Sequence, residues 1–244
     1  MGKQEKELEE SMRINNVYFN PSQIKMKALD LFCCAGGSSR GLAEAGFEVV
    51  GVDITEQPEY PFKFIKADVT KLPVEFLKEF DFIWASPPCQ LFTRAKHLRT
   101  AQGFKTIALN LIPETRELLL KTGLPFVIEN VEGSPLKRDL MLCGSMFDLQ
   151  VRRHRIFECS FKIEQPKCNH KKQARPIGVY HRMKDSIPHG GKTASNLEEA
   201  QNSMGLKLSW NKLKEAIPPK YAEYIGKCFI KFSENGIHTE NQKE

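Results

Sequence analysis

Short apolar segments alternate with polar or helical stretches along the first half of this chain, and that alternation limits the folds it can adopt. Each segment is soon followed by glycine, proline or an acidic residue, which is typical of a buried strand that ends at a sheet edge. The order of strands and helices predicts an α/β fold with a doubly wound, mostly parallel sheet. The predicted strands are residues 28–32, 47–52, 62–65, 81–85 and 125–128.

Two helices are predicted between these strands. The first follows the glycine turn after the first strand, is capped by Ser38 or Ser39, and ends before Gly46. The second covers residues 106–122, which have helical periodicity. Pro113 lies inside that range, so a kink or a break is expected there.

The pentapeptide Ser86-Pro87-Pro88-Cys89-Gln90 directly follows the fourth predicted strand. Its two prolines fix φ and remove two backbone donors, so the chain must leave the strand rigidly at this point. Cys89 is therefore held at the carboxyl end of a strand, where open α/β sheets bind their ligands. A buried structural cysteine would not need this framing, and we interpret Cys89 as a nucleophile.

The chain has 244 residues, which suits one α/β domain with a small insertion. No apolar run approaches the roughly 18 residues of a membrane span, and the charged N-terminus lacks the apolar core of a signal peptide. The seven cysteines are odd in number and show no framework spacing, which favours reduced thiols in a cytosol. We therefore expect a cytoplasmic protein without a membrane segment.

Positive charge is concentrated in two segments. Residues 151–192 contain eleven Lys or Arg against three Asp or Glu, whereas the whole chain has a net charge of only +6. Residues 94–105 contain four basic side chains and no acid. Both segments follow the candidate nucleophile in the sequence, and together they indicate a polyanion laid across the site. Two solvated surfaces are the alternative interpretation.

Glycine and acidic residues stand where a nucleoside-containing cofactor needs them. Gly36-Gly37 after the first strand lets the backbone approach a ligand. Asp53, which closes the second strand, is placed to accept from ribose hydroxyls. Asp68, after the third, can accept from an exocyclic amine such as that of adenine. The glycine pair alone is weak evidence, because no full dinucleotide motif is present.

Four motifs stand in one order along the chain: residues 30–37 (Asp-Leu-Phe-Cys-Cys-Ala-Gly-Gly), 87–90 (Pro-Pro-Cys-Gln), 129–131 (Glu-Asn-Val) and 153–155 (Arg-His-Arg). Together they resemble the signature motifs of the cytosine-C5 DNA methyltransferases. The resemblance covers over half of the chain and implies a Rossmann-like, class I S-adenosylmethionine-dependent methyltransferase. The C-terminal residues 216–221 resemble the compact bacteriophage versions, which implies a bacterial or phage-infected cell.

The resemblance implies a role for each residue of the catalytic motifs. Cys89 would add to carbon 6 of a flipped-out cytosine as the covalent nucleophile. Positive charge or a helix end near it would have to lower its pKa. Glu129 would hold N3 and the exocyclic amine and protonate N3. Asn130 would keep the loops of Glu129 and Cys89 in register. Arg155 would reach O2 of the base, and Arg153 would hold a phosphate or a loop.

The same resemblance implies S-adenosylmethionine as the cofactor and duplex DNA as the partner. Phe32 would stack on the adenine, although ordinary core packing explains a phenylalanine there equally well. Asp53 would bind the ribose, Asp68 with Val69 would read the adenine edge, and the two glycines would leave room for the methionine moiety. The remaining predicted cofactor contacts are Ile54 and Pro88.

The chain departs from the family pattern at several places. Cys34 stands where the family has the first glycine of its turn, so the turn could be shaped differently. Val151 replaces a glutamine two residues before Arg153, and a C-terminal Gly-Asn-Ser motif is missing; Pro218-Pro219 and the helix after it could stand in for it. The insertion available for target recognition is short, so we expect low sequence specificity, or recognition shared with a partner or a second copy.

On this basis the chain divides into five parts: an N-terminal extension (1–26), a catalytic domain (27–158), a target-recognition insertion (159–196), C-terminal helices that complete the catalytic domain (197–234) and a tail (235–244). The insertion contains Cys159, Cys168, His170, His181 and His189. Cys168-Asn169-His170 could be half of a zinc site. The spacing fits no standard finger, so we assign no metal ligand.

Two other functions stay open on the sequence. One is a tRNA cytosine-C5 methyltransferase of the same family, which the motifs do not exclude. The other is a nucleic-acid-binding protein with a relic site, for which the short insertion argues. The intact set of Cys89, Glu129 and Arg155 argues against a relic. An amino-methylating enzyme is disfavoured, because its Ser-Pro-Pro motif should end in an aromatic residue.

Overall fold

The computed structural model describes residues 25–93, 109–173, 175–180 and 191–240, with side chains to residue 234. Several predicted features lie outside these residues: the extension up to residue 24, the basic loop at 94–105, and His181 and His189. The division of the chain into five parts stays a prediction.

Seven strands form the main sheet, and only one of them runs against the others. The strands are β1 (Lys27–Leu31), β2 (Glu48–Asp53), β3 (Lys63–Lys66), β4 (Phe82–Ala85), β5 (Phe126–Asn130), β6 (Leu140–Leu142) and β7 (Arg155–Cys159). Their spatial order is β3-β2-β1-β4-β5-β7-β6. β7 is antiparallel to both of its neighbours, β5 and β6. All five predicted strands are present within two residues of their predicted bounds, and the predicted α/β sheet is confirmed.

The remaining elements are six helices and a small parallel sheet within the described residues. The helices are α1 (Gly37–Ala45), α2 (Val74–Leu77), α3 (Ile112–Thr122), α4 (Leu197–Met204), α5 (Trp210–Glu215) and α6 (Pro219–Glu240). The two-stranded sheet pairs β8 (Ile177–Gly178) with β9 (Lys192–Thr193). None of these helices is both long enough and apolar enough to cross a bilayer.

Helices cover both faces of the main sheet, as the doubly wound prediction requires. On one face α1 and α6 lie over Phe82 and Trp84, with Tyr221 of α6 fully buried. Gly41 allows the two helices to touch, because a Cβ there would overlap the carbonyl oxygen of Pro219. On the other face α2 and α3 cover a second cluster of side chains that includes Leu29, Leu31, Ile83, Leu77 and Leu119.

Two helix starts differ from the prediction. α3 begins at Ile112 with Pro113 in its first turn, where a proline loses no hydrogen bond. Residues 109–111 are not helical, so of the two predicted outcomes at Pro113 the described residues show a break and no kink. Gly36, not a serine, occupies the N-cap of α1. Ser38 and Ser39 instead donate to the buried Asp30 carboxylate, which needs donors once it is out of water.

Candidate active site

The chain topology brings the predicted catalytic residues to one edge of the sheet. β4 and β5 are parallel neighbours, so Cys89 beyond β4 and Glu129 near the end of β5 share the carboxyl edge. Because β7 is antiparallel to β5, its first residue, Arg155, begins at that same edge. The reversed strand thus brings the guanidinium group of Arg155 to an edge that already carries the thiol of Cys89 and the carboxyl group of Glu129.

Glu129 and Arg155 form a buried ion pair. Arg155 Nε lies 3.0 Å from Glu129 Oε1, and their side chains are 11% and 9% exposed. Arg155 Nη1 also donates to the His154 carbonyl at 2.8 Å. Burial raises the pKa of Glu129, while the Arg155 charge and a hydrogen bond from Ser86 restrain that rise. The raised pKa is a property of a carboxyl that can hold a proton and pass it on.

The Cys89 thiol is half-buried and feels opposing charges. Burial raises the pKa of Cys89, and the Glu129 charge raises it further, against the smaller effects of Arg155 and Arg153. Arg155 and Arg153 lower this pKa but do not outweigh burial and Glu129. The basic loop at 94–105, which was expected to lower it, lies outside the described residues, so that expectation stays a prediction. Glu129 acts on the thiol because β4 and β5 are neighbouring strands, which sequence spacing does not reveal.

Asn130 connects the strand that carries Glu129 to the loop that carries Cys89. Its Nδ2 donates to the Pro87 carbonyl at 2.9 Å, and its Oδ1 accepts from the Val131 amide at 2.9 Å. The side chain is buried, so this bond ties the two loops together, which is the placement expected of Asn130.

Arg153 is buried and held by residues far along the chain. Its Nη1 donates to the Tyr180 hydroxyl at 3.2 Å and its Nη2 to the Lys214 carbonyl at 2.5 Å. Among the described residues its Nε has no partner. The Arg153 backbone carbonyl accepts from the Tyr221 hydroxyl at 2.7 Å. These contacts favour the loop-holding alternative of the two predicted for Arg153.

Tyr180 is a site residue that sequence reasoning missed. It is the last of the described residues 175–180 in the insertion, and its ring centroid is 5.6 Å from the Arg153 guanidinium carbon. The charges of Arg153 and Arg155 lower the pKa of Tyr180. A single tyrosine among basic residues carries no spacing signal, so only the tertiary contacts identify it.

The turn between β1 and α1 has an unusual backbone. Phe32, Cys34 and Gly36 have φ of 59°, 44° and 78°, a left-handed region that costs a residue with a side chain about 1–3 kcal/mol. Cys34 therefore adopts the left-handed conformation that a glycine would favour. The turn keeps its left-handed residue at this position although a cysteine replaces the glycine. Burial and the Asp53 charge raise the pKa of Cys34 to about 12, which keeps it a thiol.

The two glycines of this turn are required by the protein's own packing. A Cβ on Gly36 would lie 2.9 Å from the Tyr60 ring, and one on Gly37 would lie 2.6 Å from the Ile217 carbonyl oxygen. In both glycines the position of a Cβ points toward other residues of the protein. The lack of a side chain therefore opens no space for a methionine moiety, and such space depends on the course of the backbone. Their predicted cofactor role stays a prediction.

The two acids at the ends of β2 and β3 fit a nucleoside. Asp53 accepts from the Cys34 amide and from the amide and hydroxyl of Thr55, which leaves about one of its four acceptor positions for a ribose hydroxyl. Asp68 caps a short 3₁₀ turn that starts at Val69; bonds from Thr70 lower the Asp68 pKa and keep it an acceptor.

Apolar side chains next to these acids suit an adenine ring. Ile54 directly follows Asp53 and is 63% exposed, while Val69 is buried. Phe32 and Pro88 are half-buried, and Phe32 packs against the cluster that contains Val69. The acceptors and apolar surfaces at this end of the sheet fit S-adenosylmethionine.

One further cluster was not predicted. Cys168 and His170, considered as half of a zinc site, lie beside Cys143 and His154. Cys143 and His154 precede the insertion, so the other half of the cluster lies outside the segment in which the sequence suggested a zinc site.

The strand order, the single antiparallel strand and the acid-lined carboxyl edge define a class I methyltransferase fold. Two solved structures of low sequence identity share it. A proposed DNA modification methyltransferase encoded within an E. coli prophage aligns over 85% of this chain and 99% of its own, with a TM-score of 0.59 and 15% identity. The S. pombe Dnmt2 methyltransferase aligns over 85% and 98%, with a TM-score of 0.54 and 14% identity.

Residues 26–139 match the family model described as C-5 cytosine-specific DNA methylase. The chain is also 34% identical over 123 residues to the type II methyltransferase M.FnuDI of Fusobacterium nucleatum. That match covers 47% of this chain and 35% of the length of the relative. Over the matched segment the chain is thus similar to C-5 cytosine-specific DNA methylases, and it spans about a third of the length of this curated relative.

Proposed function

We propose that this protein methylates carbon 5 of a flipped-out cytosine in duplex DNA through a covalent adduct with Cys89. The observation that carries the proposal is the meeting of Cys89, Glu129 and Arg155 at one sheet edge, with a buried ion pair of 3.0 Å between the last two. Thiol, acid and guanidinium are the groups that attack on C6 requires.

The adduct makes an unreactive carbon nucleophilic. As the Cys89 Sγ–C6 bond forms, the C5=C6 electron pair becomes a C4=C5 bond, and the C4=N3 pair takes a proton at N3. Glu129 supplies that proton, which its burial-raised pKa favours. S-adenosylmethionine supplies the electrophilic methyl group. Methyl transfer leaves S-adenosylhomocysteine and re-forms C4=N3, so the N3 proton returns to Glu129. Loss of the C5 proton to water then restores C5=C6 and releases Cys89 as a thiolate.

Arg155 contacts both the carboxyl group of Glu129 and the edge of the target cytosine. Its bond to Glu129 fixes the carboxyl next to the position of N3, and a guanidinium can donate to the cytosine O2 at the same time. Asn130, through its bond to the Pro87 carbonyl, keeps the Cys89 loop from moving away from Glu129. Arg153 and Tyr180 support this arrangement from the insertion.

The insertion offers a surface for the DNA backbone. Its described lysines and one arginine are exposed, with a single exposed acid among them. Such a surface favours phosphates. Carbon 5 and carbon 6 lie inside the duplex stack, so the target base must leave it before attack. The exposed basic residues are Lys162, Lys167, Lys171, Lys172, Arg175 and Lys192.

The proposal is tested with tritiated S-adenosylmethionine, mixed-sequence duplex DNA and, separately, tRNA. We expect label in DNA 5-methylcytosine that is lost in Cys89→Ala and kept in Cys228→Ser, a control thiol on α6. Label in tRNA alone would replace DNA by RNA as substrate. DNA binding without label in either would favour the relic binder.

The covalent step is tested with a duplex that carries 5-fluorocytosine. Fluorine on C5 cannot leave as a cation, so the adduct cannot break down after methyl transfer. We expect a detergent-resistant protein–DNA species in the wild type and in Cys228→Ser, and none in Cys89→Ala. An adduct formed by Cys89→Ala would refute the assignment of the nucleophile.

A further inference from the structure

Four side chains with metal-binding atoms converge beside the active site. Cys143, His154, Cys168 and His170 each offer one sulfur or nitrogen, and these atoms all lie within 4.8 Å of one another. Cys143 is buried, Cys168 is exposed, and both histidines are half-buried.

The sulfur–nitrogen distances lie within about 0.7 Å of the edges of a tetrahedral zinc site. Cys168 Sγ is 2.9 Å from His170 Nε2 and 3.7 Å from His154 Nε2, and Cys143 Sγ is 3.3 Å from His170 Nε2. Zinc bonds of about 2.3 Å to sulfur and about 2.0–2.1 Å to nitrogen give sulfur–nitrogen edges of about 3.6 Å. The four atoms are thus already spaced to surround one ion.

The sheet itself aligns two of the ligands. In the β6–β7 ladder Leu142 pairs with Arg155, so Cys143, the next residue of one strand, comes beside His154, the preceding residue of the other. The ladder therefore fixes half of the cluster independently of the insertion. Cys168 and His170 approach it from the segment after β7.

A hydroxyl supports both sulfurs. Ser145 Oγ is 3.4 Å from Cys143 Sγ and 3.3 Å from Cys168 Sγ, and it accepts from the Asn169 amide at 3.2 Å. In zinc sites such a hydroxyl group donates a hydrogen bond to a ligand sulfur without binding the ion itself. Two thiolates also suit Zn²⁺ and do not suit Mg²⁺ or Ca²⁺.

We propose that Cys143, His154, Cys168 and His170 bind one structural Zn²⁺. Four protein ligands close the coordination sphere, so the ion holds structure and does not activate water. It fastens the insertion to the amino end of β7. Since His154 lies between Arg153 and Arg155, the ion also fixes the strand segment that carries both arginines. The proposal does not depend on the proposed methyl transfer.

Metal analysis of untagged protein, purified without chelator, tests this site. We expect about one zinc per chain in the wild type and in Cys228→Ser, and loss of zinc in Cys168→Ser. Cys168 is used because it is exposed, whereas replacing the buried Cys143 could unfold the chain. His170→Ala leaves three ligands, as Cys168→Ser does, so we expect loss of zinc there too. Ser145→Ala keeps all four ligands, and we expect it to weaken zinc retention against a competing chelator by at least about tenfold.

Cobalt gives a second readout that needs no activity. Reduced, metal-free protein should bind one Co²⁺ with visible bands of a tetrahedral thiolate complex, and Cys168→Ser should not. Wild-type protein that holds less than about a tenth of an equivalent of zinc and develops no such bands would overturn the proposal.

Discussion

Replacing Glu129 with leucine would leave the Arg155 guanidinium buried without its acid. Their atoms are 3.0 Å apart, where two charges attract by about 5–6 kcal/mol at an effective dielectric constant of about 20. Each charge has also lost several kcal/mol of hydration, so removing one partner typically costs about 3–5 kcal/mol. A chain of this size loses about 2–4 °C of Tm per kcal/mol, so we expect Glu129→Leu to melt roughly 6–20 °C lower.

The double variant Glu129→Leu/Arg155→Met separates stability from chemistry. Both charges are then absent, and apolar side chains fill the space, so we expect unfolding within about 1 kcal/mol of the wild type or above it. Methyl transfer should stay abolished. Chemical denaturation of the four proteins of this cycle gives the coupling energy. A coupling below about 0.5 kcal/mol would refute the claim that the two groups depend on each other.

A second ion pair on the same strand is a matched control. Arg116 of α3 donates to both carboxylate oxygens of Glu158 at 2.7 Å each. Glu158 lies on the opposite face of β7 from Arg155, and its carboxylate also accepts from the Lys137 amide at 3.1 Å. Arg116→Met should cost about 1–3 kcal/mol and leave methyl transfer unchanged well below Tm. Loss of transfer in Arg116→Met would mean that the assay reports stability alone.

Three further predictions use other parts of the structure. At Cys34, whose φ is 44°, glycine should be more stable than alanine by about 1 kcal/mol, the reverse of the usual order; equal Tm values of the two variants would refute the strain. Burial raises the pKa of Asp30 from 3.8 to about 7, so folding favours the protonated acid and stability should fall as the pH rises from about 4 to 7, by about 4 kcal/mol; denaturation across that range should show no such fall in Asp30→Asn. Lys171→Ala/Lys172→Ala should lower the salt-dependence slope of DNA binding by up to about 1.8, whereas Lys78→Ala, at the C-cap of α2 before the amino end of β4, should not change it.

Local sequence was sufficient to predict a strand where the strand's own residues form an apolar run. The apolar runs of β1, β2 and β5 are buried on both sides, so their bounds follow from hydrophobicity and from the polar residues after them. β7 lacks that signal, because its charged residues Arg155 and Glu158 are neutralised by partners on other elements. Its place in the sheet depends on contacts that no local pattern encodes.

Two features could not be predicted from the sequence for the same reason: the raised pKa of Cys89 and the metal cluster. The sequence indicates that Cys89 is exposed to positive charge, but the nearest acid, Glu129, reaches it only because β4 and β5 are neighbours. Likewise His154 and Cys168 are far apart in sequence, and no finger spacing connects them. Both features depend on contacts between residues of different segments, so the residue pattern within one segment cannot predict them.

The reversed direction of β7 explains why the candidate active site and the proposed zinc site are neighbours. β6 runs parallel to the first five strands, so its last residue and the following Cys143 reach the same edge as the end of β5. β7 starts at that edge, so His154 and Arg155 stand side by side there, one directed to Cys143 and the other to Glu129. Had β7 been parallel, both side chains would lie at the opposite edge, and neither the ion pair nor the metal cluster could form.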